Sequence, residues 1–514
     1  MKRRTFLRNT SLATLPVALP GLNQTYRKLL SYLTENTDKI LVLIQCSGGY
    51  DGLNMVLPLD QYDGLSRARA NLLIPETQGI KLTDQVALHP ALAPMAEMFR
   101  EGQLQIIQGV GYPEQNRSHF RSTDIWTSGS ASDQYLNTGW LGRYLDDLYP
   151  GYPEGYPNAE DPDPFAITMQ GTVSETCQGI GGNFSMSVND PFALAPLTIS
   201  TAGNAPDTYY GDELAFLRDA ILKTNQYSDV IQAAAEKGKN QVSYPENNNL
   251  ANQLRNVALL ISGGLQTRIY VASMGGYDTH ANQITPGDAT KGAHADLMEE
   301  LSSAIAAFQA DLNALGYQEK VLGMTFTEFG RRIRSNYSLG TDHGSAAPLF
   351  LFGSCVEGSI VGHNPEIPDD VDPLEGVALQ HDFRNIYGSL FEHWFEIPKE
   401  KVGLLLYPEY QSLPILKNCS TATSSRHSYS SFSTASIVPN PIRQSGKLVW
   451  EHPGGKVRIQ IMNVLGSVIS TLYDGNLASG PQTIELDTHR LIPGTYYIYL
   501  MTTLGQRTLR MVKL

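Results

Sequence analysis

Four near-continuous apolar runs, each followed by a turn rich in glycine and polar residues, most constrain the fold of this 514-residue chain. The runs extend over residues 40–46, 104–110, 268–274 and 321–326. Parallel strands that are buried on both faces have this composition, without strict alternation of polar and apolar residues. The pattern therefore predicts the central strands of an α/β sheet.

Helical periodicity between and after these runs supports that fold class. An apolar residue recurs every three or four positions from Leu297 to Leu312, and again from Phe383 to Trp394. Such a spacing is typical of a helix with one buried face. Strands that alternate with helices indicate an α/β core, in which ligands bind beyond the carboxyl ends of the strands. We therefore expect a functional site among the polar turns.

Length and composition narrow the class of protein. A chain of this length exceeds a single hydrophobic core, so we expect two or more domains. Its 41% hydrophobic and 17% charged residues are typical of a globular protein. The net charge of −13 argues against nucleic-acid binding, because the phosphate backbone needs a basic surface. The four cysteines show no paired spacing, which indicates neither a thiolate metal site nor a disulfide framework and leaves a single bridge open.

The N-terminus has the features of an export signal. Basic residues at 2–8 precede an uncharged stretch at 9–26, and the order Arg-Arg-x-Phe-Leu is similar to a twin-arginine signal. An ordinary basic helix start is the alternative. We assign residues 1–37 to the signal and a spacer. No later uncharged apolar run approaches about 18 residues, so we expect no transmembrane segment in the mature protein.

Carboxylates and imidazoles follow the predicted strands. Asp51 comes after the first run, between glycines that let the backbone approach a ligand closely. Asp278 and His280 come after the third run and are two residues apart, so in extended backbone both would project to one side and could hold the same ion. The alternative is that these residues cap helices and stabilise turns.

Asp342 and His343 add a second carboxylate–imidazole pair. Neighbouring side chains on a regular strand point to opposite faces, so this pair could share one ion only in a turn, where Gly344 relaxes the backbone. The three carboxylates and two imidazoles, without a thiolate, favour Zn, Mn, Fe or Mg. Two adjacent ions could clamp the attacking and leaving oxygens of a displacement.

Ser118 is the candidate nucleophile. It lies in a polar loop after the second run, flanked by Arg117, His119 and Arg121. A serine needs a base or a metal to activate it, and two arginines offer bidentate geometry for a phosphate or sulfate oxyanion. His119 would shuttle a proton. Alternatively, Ser118 starts the helix that follows, and the two roles are compatible because helix N-termini also bind anions.

Eight motifs, in this order, resemble an exported bacterial family known as domain of unknown function 1501. They are Gly-Gly-Tyr-Asp-Gly-Leu-Asn (48–54), Gly-Val-Gly-Tyr-Pro (109–113), Asn-Arg-Ser-His-Phe-Arg-Ser (116–122), Gly-Trp-Leu-Gly-Arg (139–143), Gly-Tyr-Asp-Thr-His-Ala-Asn-Gln (276–283), Glu-Phe-Gly-Arg-Arg (328–332), Thr-Asp-His-Gly (341–344) and Asp-Phe-Arg (382–384). That family looks related to the alkaline phosphatase and sulfatase superfamily. The resemblance implies an alkaline-phosphatase-like α/β/α sandwich, which we assign to residues 38–417, with a metal centre that hydrolyses phosphate or sulfate esters.

The resemblance also implies roles for individual residues. One or two divalent ions, with Zn preferred over Mn, Fe or Mg, would be held by Asp51, Asp278, His280, Asp342, His343 and, as a further ligand, His381 or Asp382. Ser118 would stand where the nucleophile stands, although its surroundings lack the sulfatase signature Cys/Ser-x-Pro-x-Arg. The spacing of Asp278 and His280 is also shorter than in the superfamily.

The composition changes near the C-terminus. A Ser- and Thr-rich linker is predicted at 418–437, and short alternating strands with Gly and Pro turns at 438–514 predict a small all-β sandwich domain. Three of its motifs are Pro-Asn-Pro (439–441), Asn-Val-Leu-Gly (463–466) and Gly-Thr-Tyr-Tyr (494–497). They resemble the C-terminal sorting domain of type nine secretion, which implies passage from the periplasm to the outer-membrane surface or the exterior. A carbohydrate-binding module is the alternative.

Two functions of different classes follow. The first is an exported metal-dependent hydrolase of phosphate or sulfate esters, acting on a small molecule or a glycan and partnered by the export and secretion machinery. The second is a non-catalytic surface protein that keeps the fold and binds a glycan or another partner. The set of candidate ligands favours the first, and the missing context around the nucleophile favours the second.

Overall fold

The computed structural model describes residues 38–194, 208–417 and 436–513. Within the last range, short gaps fall at 444, 453, 463–467, 490, 493 and 503–504. The chain divides into two compact units, a body that contains 38–417 and a C-terminal unit that contains 436–513. The predicted export signal and almost all of the predicted linker lie outside the described residues.

The body alternates strands and helices, with short 3-10 helices between them. Its strands are β1 (Ile40–Cys46), β2 (Val56–Pro58), β3 (Ile80–Lys81), β4 (Val86–Leu88), β5 (Leu104–Gly111), β6 (Ala166–Met169), β7 (Ser185–Val188), β8 (Ile269–Met274), β9 (Val321–Phe326), β10 (Arg331–Ser335), β11 (Thr341–His343), β12 (Ala347–Phe352), β13 (Ile360–Val361) and β14 (His381–Asp382). Its helices are α1 (Gly52–Met55), α2 (Tyr62–Arg69), α3 (Ala93–Arg100), α4 (His119–Ser128), α5 (Trp140–Leu148), α6 (Tyr209–Lys237), α7 (Asn249–Ser262), α8 (Ala293–Leu315), α9 (Phe383–His393) and α10 (Lys399–Leu405).

A nine-stranded sheet forms the centre of the body, in the order β13-β5-β12-β9-β1-β8-β6-β7, with β14 beside β5. Strand β1 is parallel to both of its neighbours, whereas β12 is antiparallel to β5 and to β9. The carboxyl ends of β1, β5, β8 and β9 therefore meet the amino end of β12 at one edge of the sheet. These four strands coincide with the four predicted apolar runs to within one residue, so that prediction is confirmed.

Helices cover both faces of this sheet. Along β1, Val42 and Ile44 enter one core, while Leu41 and Leu43 enter the other. Helices α3, α6, α7 and α8 line the first core, and α4, α5, α9 and α10 line the second. Two separate cores on opposite faces make a three-layer α/β/α arrangement, as the family resemblance implies.

The C-terminal unit is all β, which confirms the predicted class of this region. Its strands are β15 (Ser436–Val438), β16 (Ser445–His452), β17 (Gly455–Met462), β18 (Val468–Leu477), β19 (Gly480–Asp487), β20 (Gly494–Thr502) and β21 (Gly505–Lys513). They form a three-stranded sheet, β15-β16-β19, and a four-stranded sheet, β18-β17-β20-β21. Leu448 and Trp450 of the first sheet share one core with Ile459 and Ile498 of the second. The unit is therefore a small β-sandwich.

Two further expectations from the sequence concern the pairing of the cysteines and the presence of a transmembrane segment. Cys46 and Cys177 are buried and free, and Cys355 is disulfide-bonded. Within the three described ranges, none of the helices is both long and apolar enough to cross a membrane.

Candidate metal centre

Loops at the shared edge of the sheet bring three histidines and one aspartate together. His119 is the first residue of α4, which follows β5. Asp278 and His280 follow β8, and His343 is the last residue of β11. The turn after β1 packs directly behind them: Gly48 has a φ of 122°, and a Cβ there would lie 2.4 Å from the backbone nitrogen of Asp278. Only glycine permits this close approach.

The side-chain nitrogens and oxygens of this group converge. Nε2 of His280 and Nε2 of His343 are 2.9 Å apart, and each lies 3.0 Å from Oδ1 of Asp278. Nε2 of His119 lies 3.5 Å from Oδ2 of the same aspartate. Ligand atoms of His119, Asp278 and His343 all fall within 4.8 Å of one another. His119, Asp278 and His343 thus surround a single point, and His280 lies beside it, against His343 and Asp278.

Each of the three imidazoles is also held by a hydrogen bond through its other ring nitrogen, Nδ1. Its Nδ1–H donates to an oxygen that belongs to another segment of the chain. The pairs are His119 with Oε1 of Glu328 (2.7 Å), His280 with Oδ1 of Asp342 (2.9 Å) and His343 with the backbone oxygen of Arg117 (2.9 Å). Histidines that bind metals have this arrangement, because the acceptor fixes the tautomer and orients the ring.

The donor set fits a divalent cation. With the proton on Nδ1, the Nε2 atoms present lone pairs to one another and to an ionised carboxylate, and such groups repel unless a cation lies between them. Nε2 of His119 is also buried and has no hydrogen-bond partner among the described residues. A buried polar atom without a partner is costly, and a cation would satisfy it. Nitrogen and oxygen donors of this kind suit Zn or Fe.

Protonation states support this assignment. Partial burial acts to raise the pKa of Asp278, but the hydrogen bond from Arg331 prevails and lowers it to about 2. Partial burial lowers the pKa of His343 and outweighs the opposing effect of Asp278. At neutral pH the aspartate is therefore ionised and this histidine neutral, which are the forms that bind metals.

Arg331 holds Asp278 in place by hydrogen bonding. It is fully buried, and its Nη2 donates to Oδ1 of Asp278 (2.8 Å), to the backbone oxygen of Tyr277 (3.0 Å) and to that of Gly48. Beneath the imidazoles, the ring of Phe329 lies 4.9 Å from that of His119, between centroids. The residues of the segment after β9 thus build the floor of the centre.

The strand conformation at Asp342 and His343 separates their roles. Thr341–His343 forms β11, which pairs with β10, so the two side chains point in opposite directions. His343 faces the converging atoms, whereas Asp342 holds Nδ1 of His280, and its other oxygen lies 3.5 Å from Nη1 of Arg332. The turn that would let both residues share one ion is not formed.

Asp51 lies at the same edge but is occupied by protein donors. Nη1 of Arg69 lies 2.9 Å from Oδ1 and 2.8 Å from Oδ2, and Nε2 of Gln283 donates to Oδ2 (2.7 Å). Asp51 and Arg69 are each only 1% exposed. Burial acts to raise the pKa of Asp51, but Arg69 and then His294 counter it and hold the pKa below its usual value.

His381 and Asp382 form β14, directly before α9. Asp382 caps helix α9 by accepting a hydrogen bond from the backbone nitrogen of Arg384 (2.9 Å). It also forms an ion pair with the guanidinium of Arg384 (2.6 Å). Burial, and then the nearby His363, lower the pKa of His381. In the portion of the chain that the structure describes, no hydrogen bond or ion pair links either residue to the three histidines.

Ser118 occupies the N-cap position of α4 in extended conformation, but its side chain does not cap the helix. It is exposed, and its hydroxyl makes no hydrogen bond with any described residue. Arg121 is directed to its own loop: it pairs with Asp124, donates to the backbone oxygen of Ser132 (2.9 Å) and stacks on Tyr135 at 3.8 Å. These contacts leave Arg121 no free donor face for an oxyanion at the centre.

Two other arginines border the centre. The backbone oxygen of Arg117 accepts from His343, whose own backbone oxygen accepts from Nε of Arg332 (3.3 Å). Partial burial, and then the proximity of Arg332, lower the pKa of Arg117. Arg117 forms no ion pair with a carboxylate in the described ranges. A guanidinium without a counter-ion beside a second guanidinium favours an anion there.

The sequence interpretation missed several of these functions. It treated His119 as a proton shuttle, and it assigned no role to Glu328, Arg332 or Arg69. Glu328 and Arg332 belong to the motif after β9, so their position after a buried strand was an available signal. For Arg69, which lies on α2 far from any predicted turn, the sequence offers no such signal.

The family of the chain follows from the comparisons with known proteins. Residues 38–383 match the model of a family described as "Protein of unknown function (DUF1501)", and the chain belongs to this family. Residues 436–513 match a second model, the secretion system C-terminal sorting domain. Both resemblances drawn from the motifs are confirmed. No curated protein sequence matches the chain.

Several solved structures are distantly similar in fold. A sulfatase from Pseudoalteromonas sp. is 9% identical, with a TM-score of 0.31, over 92% of this chain and 88% of its own. A protein of the alkaline phosphatase superfamily from Vibrio parahaemolyticus is 9% identical, with a TM-score of 0.33, over 92% and 82%. A phosphonate monoester hydrolase from Silicibacter pomeroyi is 10% identical, with a TM-score of 0.33, over 93% and 89%. Values this low support no statement about the activity of this chain.

Proposed function

We propose that the body is a metal-dependent hydrolase of phosphate or sulfate esters. The observation that carries this proposal is the orientation of His119, His280 and His343. Each donates Nδ1–H to a fixed acceptor and directs Nε2 towards Asp278. These four side chains would hold the cation, and Glu328 and Asp342 would orient two of the rings.

A divalent cation bound there would supply Lewis acidity to an ester oxygen and to the attacking group. The remaining tasks fall to the chain itself. Arg117 and Arg332, which flank His343, would bind the oxyanion and receive charge as the ester bond breaks. We do not assign this role to Arg121, because it pairs with Asp124 and donates to the backbone oxygen of Ser132 in its own loop.

We assign the attack to water rather than to Ser118. A serine nucleophile without a metal on its hydroxyl needs a hydrogen-bonded base, and the Ser118 hydroxyl has no hydrogen-bonded base among the described residues. Ser118→Ala should therefore retain most of the ester hydrolysis and all of the bound metal. Complete loss of turnover with metal content and folding intact would instead identify Ser118 as the nucleophile. His119 is then the next residue along the chain.

The C-terminal sorting domain indicates export, and we propose that the body acts at the outer-membrane surface or outside the cell. An ester-bearing glycan or small molecule would be met there. The partners implied are the secretion machinery and this substrate.

Metal analysis combined with an ester panel tests the function. The purified full chain should contain zinc, iron or manganese by plasma mass spectrometry and should hydrolyse at least one aryl phosphate, phosphonate or sulfate ester. His280→Gln should lose both properties, whereas the control His363→Gln, at an exposed histidine, should keep both. A chain free of metal after loading would refute the proposal.

The second candidate function is that of a non-catalytic surface protein. The observation that favours it is the ion pair of Arg69 with Asp51, which already occupies this carboxylate. A chain that binds metal but turns over no ester on the panel would favour the non-catalytic surface protein. Binding of a sulfated or phosphorylated glycan that requires Arg117 would then define its function.

A further inference from the structure

The Asp51–Arg69 pair fills the place where the superfamily resemblance expects a metal. Both carboxylate oxygens of Asp51 accept from Nη1 of Arg69, at 2.9 and 2.8 Å, and Oδ2 also accepts from Gln283. Both members of the ion pair are 1% exposed. A metal ion could reach this carboxylate only by displacing the guanidinium.

Arg69 cannot easily be displaced. Its Nε donates to the backbone oxygen of Ile333 (2.7 Å), its Nη2 to that of Arg332 (2.7 Å), and Asn54 Oδ1 lies 3.4 Å from Nη1. A guanidinium stays charged at any physiological pH and carries five donors in a fixed plane. Here every one of its nitrogens has an acceptor within the protein.

We infer that the chain binds a single metal ion, at the three histidines and Asp278, and that Arg69 is a built-in cation that takes the place of a second ion at Asp51. The inference rests on the proposed function for the metal at the histidines. It concerns the number of ions and the role of Arg69, and it replaces the two-ion arrangement allowed by the resemblance.

The pair is connected to the metal centre through Gln283. Its Nε2 donates to Asp51, and its Oε1 accepts from the hydroxyls of Thr341 (2.8 Å) and Thr279 (3.2 Å). These threonines directly precede Asp342 and His280 in the chain. Arg69 also binds two carbonyls of β10, the strand that begins with Arg331. The fixed charge pair therefore supports the segments that carry the ligands without contacting the ion.

The ratio of metal to protein tests this inference. After saturation with zinc or manganese and removal of excess, the full chain should hold one ion, and Asp278→Asn should hold far less. The double variant Asp51→Asn with Arg69→Gln should still hold one ion. Two ions in the unaltered chain that fall to one in the double variant would overturn the inference, whereas an unaltered chain without any ion would refute the proposed metal centre instead.

The double variant is chosen because single changes leave a buried charge without its partner and can prevent folding. Asparagine removes the charge of Asp51 at the same size, and glutamine removes the charge of Arg69 while keeping an amide donor. A further measurement needs no variant: anomalous scattering from a manganese-loaded crystal should give one peak among the histidines. A second peak within bonding distance of Asp51 would contradict the role assigned to Arg69.

Discussion

At the scale of single residues, the proposed metal centre depends on acceptors that would not contact the cation. Asp342 is the clearest case, because its carboxylate holds Nδ1 of His280 at 2.9 Å. Asp342→Asn should weaken metal affinity by about 10- to 100-fold, since the amide orients the ring less well and lowers its basicity. Competition titration with a fluorescent chelator measures this change.

The matched control for that substitution is Asp370→Asn. Asp370 is fully exposed and lies 3.5 Å from Arg334 in a surface ion pair. Its substitution should leave metal affinity unchanged, because exposed pairs contribute little. Equal affinities for Asp342→Asn and the unaltered chain would show that Asp342 does not support the site.

At the scale of elements, the hairpin of β10 and β11 delivers His343. Gly344 follows the hairpin, and a Cβ at this position would lie 2.2 Å from the backbone of Arg331. Gly344→Ala should destabilise the body by about 1–3 kcal/mol, because the backbone has to move to accept the methyl group. It should also weaken metal binding, since His343 would shift with the strand.

Gly275→Ala provides the comparison at the same edge of the sheet. No atom lies within 4 Å of a Cβ placed there, so the melting temperature should stay near that of the unaltered chain. Chemical denaturation of the two variants in parallel would separate crowding from a general intolerance of substitution. Equal stability of both variants would contradict the crowding argument.

A buried histidine near the start of helix α8 should make the stability of the body depend on pH. His294 lies near its start, is buried, and accepts a hydrogen bond from the backbone nitrogen of Asp51 (3.2 Å). Burial lowers its pKa to about 4 from the usual 6.5. Between pH 6.5 and 4, His294 therefore binds a proton in the unfolded chain but not in the folded chain. The stability contributed by this residue is complete above about pH 6.5 and falls as the pH drops towards 4.

The loss from this histidine alone should reach about 3 kcal/mol at the acid end of that window. His294→Gln should flatten the dependence of unfolding free energy on pH between 4 and 6.5, although the variant is less stable at pH 7. Urea denaturation at several pH values measures the slope. An unchanged slope in His294→Gln would assign the acid sensitivity to other groups.

Elements were easier to predict from the sequence than the contacts between them. The central strands follow from apolar runs such as 104–110, because burial on both faces leaves a composition that a sequence displays directly. The convergence of Asp278, His280 and His343 also follows, since strand ends meet at one edge. The metal-binding role that we propose for His119 does not, because it depends on Glu328, which is 209 positions away in the chain.

The pairing of Asp51 with Arg69 was equally hidden. The two residues are 18 positions apart, across a strand, a 3-10 helix and a helix whose path the sequence does not show. Asp342 and His343 could share one ion only in a turn, but the hydrogen bonds of β11 with β10 make a strand there. In both cases long-range geometry decided the role of a side chain.

At the scale of the whole molecule, the two units have separate hydrophobic cores. Deleting residues 436–514 should therefore leave the body folded, with unchanged metal content and unchanged hydrolysis of any ester found active. The same deletion should retain the protein inside the cell, because the sorting domain is lost. Metal analysis of the truncated chain and fractionation of a host with the matching secretion system measure the two effects, and loss of metal on truncation would contradict this separation.

The antiparallel direction of β12 in the central sheet has a kinetic consequence. Because β12 runs against β9, the chain returns from the hairpin directly into the sheet, and no crossover helix intervenes. The segment that bears His343 is thus joined at both ends to strands that are buried along their whole length. Because exchange of the β9 and β12 amides with deuterated solvent requires these strands to open, we expect slow exchange at both ends of the hairpin.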